Sequence, residues 1–257
     1  MSHRRTVLAA LLSWSAGAPA AGPATVFRTV SEAGAPHKFG RPGARAAGFC
    51  VDYVRALMAH DPDLQFEGLR QYLPVVRIER ELAAAGIDIF FGLLKTPGRL
   101  ERFRFIEQPA LYVSRHRVVV RAADRGVDAV RGFDDIRALG DQGIVLATRG
   151  TAYTDFLLHQ PGLRVDDGAT DHLQNLRKLV RGRGRFFYQS EGMIKQLIQS
   201  EGLQDEVRML PAVFAEEPLL VAYTPTLDSS RLERLSMAMT ELEADGTAPR
   251  LRASHGL

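Results

Sequence analysis

Residues 85–105 read AGIDIFFGLLKTPGRLERFRF, and this stretch limits the fold of the chain more than any other. Residues 87–91, IDIFF, form a short apolar run of the kind buried on both faces of a parallel sheet. Gly86 closes a helix ahead of it at a C′ position. Gly92 lets the backbone turn away, and Thr96-Pro97 reads as an N-cap followed by proline at the first helical position. Arg99 therefore falls in the first turn of a short helix, just beyond the carboxyl end of a strand, where open α/β sheets bind ligands. Its guanidinium offers a planar fork of donors that suits a carboxylate. An arginine on a solvated helix would occupy the same place, and arginine is abundant in this chain, so position alone leaves both readings open.

A length of 257 residues exceeds one typical domain and suits two lobes of about 100 to 130 residues. The first 22 residues have a composition of their own. Arg4 and Arg5 form a basic start, residues 6–14 are mostly apolar, and Ala18-Pro19-Ala20 supplies small residues before Ala21. That order is the grammar of a secretory signal peptide, by the general or the twin-arginine route, and the apolar run is too short to span a bilayer. Cleavage there lowers the formal charge from +3 to +1, so the basic balance carries no information about partners. Lysine occurs only at positions 38, 95, 178 and 195, and no basic helix with interleaved aromatics is present, which argues against nucleic acid. The dense RGRGR cluster at residues 181–185 reads as a solvated turn. Cys50 is the only cysteine, which excludes an intramolecular disulfide and leaves it as a small packing residue or, as the alternative, a partner in an intermolecular bridge.

Taken in order, residues 25–30 read as a first strand and residues 34–48 as a Gly/Pro-rich loop carrying His37, Lys38 and Phe39. A helix follows with Phe49, Val54, Leu57 and Met58 on one side, then a strand over residues 64–69 and a helix over 73–85. After the TPGR turn the chain becomes β-rich from residue 110 to 120. A second α/β unit follows: helix FDDIRALG, strand GIVLAT, helix TAYTDFLLHQ, strand LRVDDG, helix HLQNLRKLV, strand RFFYQ and helix EGMIKQLIQSEG. The helix opening at Thr151 offers backbone N–H groups and a hydroxyl, either to an anion or as an ordinary N-cap. Strands EVRML and PLLVAY lead back, and a helix over residues 229–244 closes the chain.

This order resembles the extracellular family-3 solute-binding proteins of bacterial amino-acid uptake. The resemblance rests on Gly48-Phe49-Cys50-Val51-Asp52 at the first helix, Gly86-Ile87-Asp88 entering a strand, and Thr96-Pro97-Gly98-Arg99, and it runs from residue 25 to the C-terminus. It implies an α/β fold of two Rossmann-like lobes joined by a two-stranded hinge, the type II periplasmic-binding-protein fold. Residues 23–117 and 217–257 would form lobe 1 and residues 118–216 lobe 2, with hinge crossings near residues 114–122 and 210–218. It also implies that Arg99 holds a ligand's α-carboxylate, helped by the preceding strand end and by the turn Gly150-Thr151-Ala152, where Ala152 replaces a second threonine. A strand-end serine of the family is replaced by Leu94. The family's aspartate for the ligand ammonium is replaced by Ser190, with Glu191 beside it. Either Glu191 swings in, or the ligand is not a standard α-amino acid, because a buried ammonium without a carboxylate is strongly disfavoured. Phe39, Lys95, Phe91 and Tyr188 add contact or charge to the site, or belong to core and surface.

The expected function is that of a monomeric periplasmic protein closing on a small polar, carboxylate-bearing solute for an inner-membrane ABC permease or a receptor. No cofactor, metal or catalytic residue is called for. Two alternatives stand beside it. One is a dehydratase-like enzyme on the same fold, which needs a poised acid or base such as Glu191 or Glu216. The other is a sensory or interaction module that has lost small-molecule binding.

Overall fold

The computed structural model describes residues 24–257, and the signal-peptide reading lies outside the described residues. The chain folds as two α/β lobes joined by two long antiparallel strands. In the first lobe β1 (Thr25–Arg28) lies parallel to β3 (Leu64–Glu67), and β2 (Ser31–Glu32) parallel to β4 (Tyr72–Leu73). Helices α1 (Pro36–Phe39), α2 (Phe49–His60) and α3 (Val75–Ala83) fall between these strands or lead on to β5 (Ile89–Leu94), which is buried along its whole length. After α4 (Pro97–Leu100) and β6 (Arg104–Ile106) the chain enters β7 (Tyr112–Arg121), the first crossing to the second lobe.

The second lobe contains α5 (Phe133–Ala138), β8 (Val145–Thr148), α6 (Ala152–Leu158), β9 (Val165–Ala169), α7 (His172–Val180), β10 (Phe186–Ser190), α8 (Glu191–Glu201) and β11 (Val207–Met209). Strand β12 (Ala215–Tyr223) returns to the first lobe, where α9 (Ser229–Ala244) and α10 (Thr247–Ser254) complete the chain. The main sheet runs β5-β12-β7-β10-β8-β9, with β6 on β12 and β11 on β7. Alternation decides how it is covered. Val118, Val120, Phe186 and Tyr188 belong to one core, and Val119, Leu146 and Phe187 to the core on the opposite face, as a two-residue strand period requires. Among the described residues no helix is long and apolar enough to cross a membrane.

Local chemistry explains several motifs. Asp88, at the entrance of β5, accepts from the backbone N–H and guanidinium of Arg28 and from Arg231 on α9. Burial alone would raise its carboxyl, but these hydrogen bonds outweigh it and hold the group below its ordinary range. The aspartate thus joins β5 to β1 and α9. Gly48 ahead of α2 has a steric cause: a Cβ there would stand 2.3 Å from the backbone of Lys38 and Phe39.

Three local expectations change. The left-handed residue after α3 is Ala85, at φ 55°, and not Gly86. Strand β5 does not end at Gly92 but continues to Leu94 through a β-bulge: Phe91 pairs with Val221 and Leu93 with Leu220, leaving Gly92 unpaired at φ +87°. The segment carrying residues 37–39 is a helical turn that buries Lys38 and Phe39. Phe39 packs in the core against Phe90 at 5.4 Å between ring centroids.

The crossings pair in register from Ala215 opposite His116 to Leu219 opposite Tyr112. His116 is buried there. Its Nδ1 meets the Tyr188 hydroxyl at 3.0 Å, and its Nε2 has no partner. Burial pushes this imidazole down to about 4. From about pH 6.5 down to about pH 4 the unfolded chain binds a proton at this histidine and the folded chain does not, so stability falls as pH falls through that window. We expect a loss on the order of 2 kcal/mol from this group between pH 7 and pH 5. Denaturant unfolding at the two pH values should show it. His116→Asn, which keeps a partner for Tyr188, should reduce the pH dependence by about that amount.

Candidate functional site

The lobes meet around a cavity of about 70 Å3, at the end of β5 in the first lobe and of β8 and β10 in the second. A hydrogen bond bridges them, the backbone N–H of His37 on α1 donating to Oε1 of Gln196 on α8 at 3.0 Å. Of the residues singled out in the sequence, Leu94, Arg99, Thr151, Ala152 and Ser190 line this cavity together. Glu191 does not. It starts α8 and turns outward to Arg117 at 2.9 Å and Lys195 at 2.5 Å. Burial would raise its carboxyl, but those two cations hold it low. Lys95 pairs with Glu107 at 2.8 Å and lies outside the cavity. Phe39, Phe91 and Tyr188 are core residues. Glu216 pairs with Arg115 at an exposed position on the hinge.

Arg99 is 7% exposed. Its Nε and Nη2 donate to Oε1 of Glu79 at 3.1 and 2.8 Å, and its Nη1 donates to the carbonyl of Leu94 at 2.7 Å. A guanidinium has five N–H donors, so one N–H remains on each of Nη1 and Nη2. Glu79 comes from α3, and Arg102 reaches its other oxygen at 3.1 Å. The arginine is therefore oriented before any ligand arrives. On the opposite wall the Thr151 hydroxyl donates to the carbonyl of Thr148 at 2.9 Å and accepts weakly from the N–H of Thr154 at 3.4 Å. Thr151 thus caps α6. Thr96 sits at the N-cap of α4, but its hydroxyl makes no capping bond.

The second charged feature is one that sequence reasoning left among three loop residues. Lys38 is 8% exposed, and its ammonium forms an ion pair with Glu32 and donates to the carbonyl of Gly92 at 3.1 Å. The bulge makes this contact, since it leaves Gly92 out of the β5–β12 pairing. A Cβ on Gly92 would stand 3.2 Å from Cδ of Lys38 and 3.3 Å from Sγ of Cys50. Glu32 carries no signal of its own: it ends a two-residue strand, six positions before its partner, a spacing that belongs to neither helix nor strand.

Two histidines face the same space. His172, on α7, lies 2.8 Å from the Thr148 hydroxyl and 3.1 Å from Nε2 of Gln189, while Gln189 Oε1 accepts from the N–H of Ser190 at 2.7 Å. Burial lowers the His172 imidazole, and burial with the nearby Lys38 lowers that of His37 to about 3. Both are neutral at physiological pH. The fixed charges of the site are thus two ion pairs, Lys38–Glu32 and Arg99–Glu79. Beyond Leu94, Ala152 and Tyr153 a larger cavity of about 550 Å3 continues between α4 and α6.

No family model matches the chain, and no curated protein is found as a relative. Solved structures are similar over nearly its whole length. A histidine kinase sensor domain with similarity to periplasmic binding proteins superposes with a TM-score of 0.72 at 18% identity, covering 90% of this chain and 95% of its own. The GluR0 ligand-binding core from Nostoc punctiforme, in complex with L-glutamate, gives 0.68 at 15% identity, covering 89% and 98%. The fold is that of the periplasmic binding proteins. A substrate-binding protein of an amino acid ABC transporter matches this periplasmic-binding-protein fold equally well, at TM-score 0.69 and 17% identity over 89% of this chain and 98% of its own. Every one of these likenesses is one of fold.

Gly92 tests the inner wall. A β-carbon at a left-handed position, pressed on Lys38 and Cys50, combines backbone strain with displacement of a buried ion pair. Gly92→Ala should lower stability by about 1–3 kcal/mol, measured by denaturant unfolding. Glycines in open turns such as Gly34, which meets nothing within 4 Å, should show a smaller change.

Proposed function

We propose that this chain is a periplasmic solute-binding protein whose lobes close on a small carboxylate-bearing solute and present it to an inner-membrane permease or a receptor. It works as a monomer, and binding, not catalysis, is its role. The observation that carries the reading is the meeting of Arg99 from the first lobe with Thr151, Ala152 and Ser190 from the second around one cavity. A guanidinium with two spare N–H donors, fixed by Glu79 and desolvated, suits a carboxylate. Because the ligand would touch both lobes at once, its binding energy would favour the closed arrangement over the open one. Rotation about the β7 and β12 crossings would supply the motion. The resemblance in fold to binding domains that hold amino acids supports the reading. Glu191 and Glu216, the acids put forward for a dehydratase, stand in ion pairs and do not line the cavity.

Arg99→Ala tests it. Removing the guanidinium would leave a desolvated ligand carboxylate poorly paired, at an expected cost of about 2–5 kcal/mol, or roughly 30-fold to several thousand-fold in affinity. Arg99→Lys should recover only part, because an ammonium lacks the planar fork. Calorimetric titration with the carboxylate found by native mass spectrometry of the purified protein decides the matter. Unchanged affinity in Arg99→Ala would remove the arginine from the site.

A further inference from the structure

Resting on the reading of the cleft as a carboxylate site, we propose that its ligand carries no α-ammonium: it is a small 2-hydroxy or 2-oxo carboxylate, and Lys38 provides from within the protein the cation that an amino acid would bring.

The argument starts from the acceptors. An ammonium entering this cavity needs lone pairs, and preferably a carboxylate. Of the strong acceptors at the cavity wall, Oε2 of Glu32 and the carbonyl of Gly92 receive Lys38, the carbonyl of Leu94 receives Arg99, and Oε1 of Gln189 receives the N–H of Ser190. Glu32 is the only carboxylate lining the cavity among the described residues. Turning it to a ligand would leave the buried Lys38 ammonium uncompensated, which is strongly disfavoured. Glu191, the other carboxylate in reach by sequence, is held outside by Arg117 and Lys195. A ligand ammonium would therefore stand beside a fixed lysine with no carboxylate of its own.

The donors point the same way. The Lys38 ammonium has three N–H groups, of which two are used within the protein. Arg99 has two to spare. A carboxylate on Arg99 with a hydroxyl or oxo oxygen on the adjacent carbon would supply acceptors to both cations. An ammonium group has no lone pair and can accept from neither. Neutral imidazoles at His37 and His172 add no competing charge.

The test is titration of the wild-type protein with pairs matched in shape: L-alanine against L-lactate and pyruvate, and L-aspartate against L-malate. We expect the hydroxy or oxo acid of at least one pair to bind at least about tenfold more tightly than its amino counterpart, since like charges placed side by side suppress the wrong partner. Lys38→Met should narrow or reverse that ratio, because it removes the internal cation and frees Glu32. Glu32→Gln, which keeps Lys38, should leave the preference in the same direction. An amino acid binding as tightly as its deaminated counterpart would overturn this inference and leave the carboxylate site standing. No binding by any member of either pair would overturn both.

Discussion

The geometry of the cleft depends on one buried ion pair, Lys38 with Glu32, and on the glycine that lets it form. Lysine is rarely found this deeply buried unless it is paired. Here its stem crosses Gly92, its head reaches the Gly92 carbonyl and Glu32, and the helical turn bearing it is packed on Gly48. The bulge in β5 is part of the same arrangement, because a regular strand would have turned that carbonyl into the ladder. Removal of either partner would leave a charge without compensation in a low-dielectric wall.

Arg99 shows the same economy from the other side of the cavity. Two of its nitrogens lie on Glu79 and a third on the Leu94 carbonyl, so the side chain is aimed without help from a ligand. Pre-orientation of this kind reduces what a ligand must order on binding. It also means that the charges of the site already balance within the protein, and that affinity must come from spare N–H donors, from hydroxyls and from the exclusion of water. Such a site suits a small, acceptor-rich solute.

Much of the fold was legible because strong local signals agreed with one another. The buried run before Gly92, the proline after Thr96 and the strands that alternate with helices in the second half each have a clear physical reading, and their order fits two lobes. Arg99 and Thr151 were singled out because they stand at the ends of such elements, and Leu94, Ala152 and Ser190 through the family resemblance; all five line one cavity. What escaped was set by tertiary contact. Lys38 and Glu32 pair through a chance of packing with no periodicity, Phe39 sits in the core because α1 is a turn of helix and not a loop, and Glu191 faces outward because Arg117 and Lys195 draw it there. Ala85 took the left-handed position that the neighbouring glycine would have filled at less steric cost.

A crystal structure of the protein with its co-purified solute in the cleft would test the central claim most directly. The account requires Lys38 still paired with Glu32, a ligand carboxylate on the free end of the Arg99 guanidinium, and a ligand oxygen within hydrogen-bonding distance of the Lys38 ammonium. A structure in which Glu32 has left Lys38 and holds an ammonium of the ligand would contradict it.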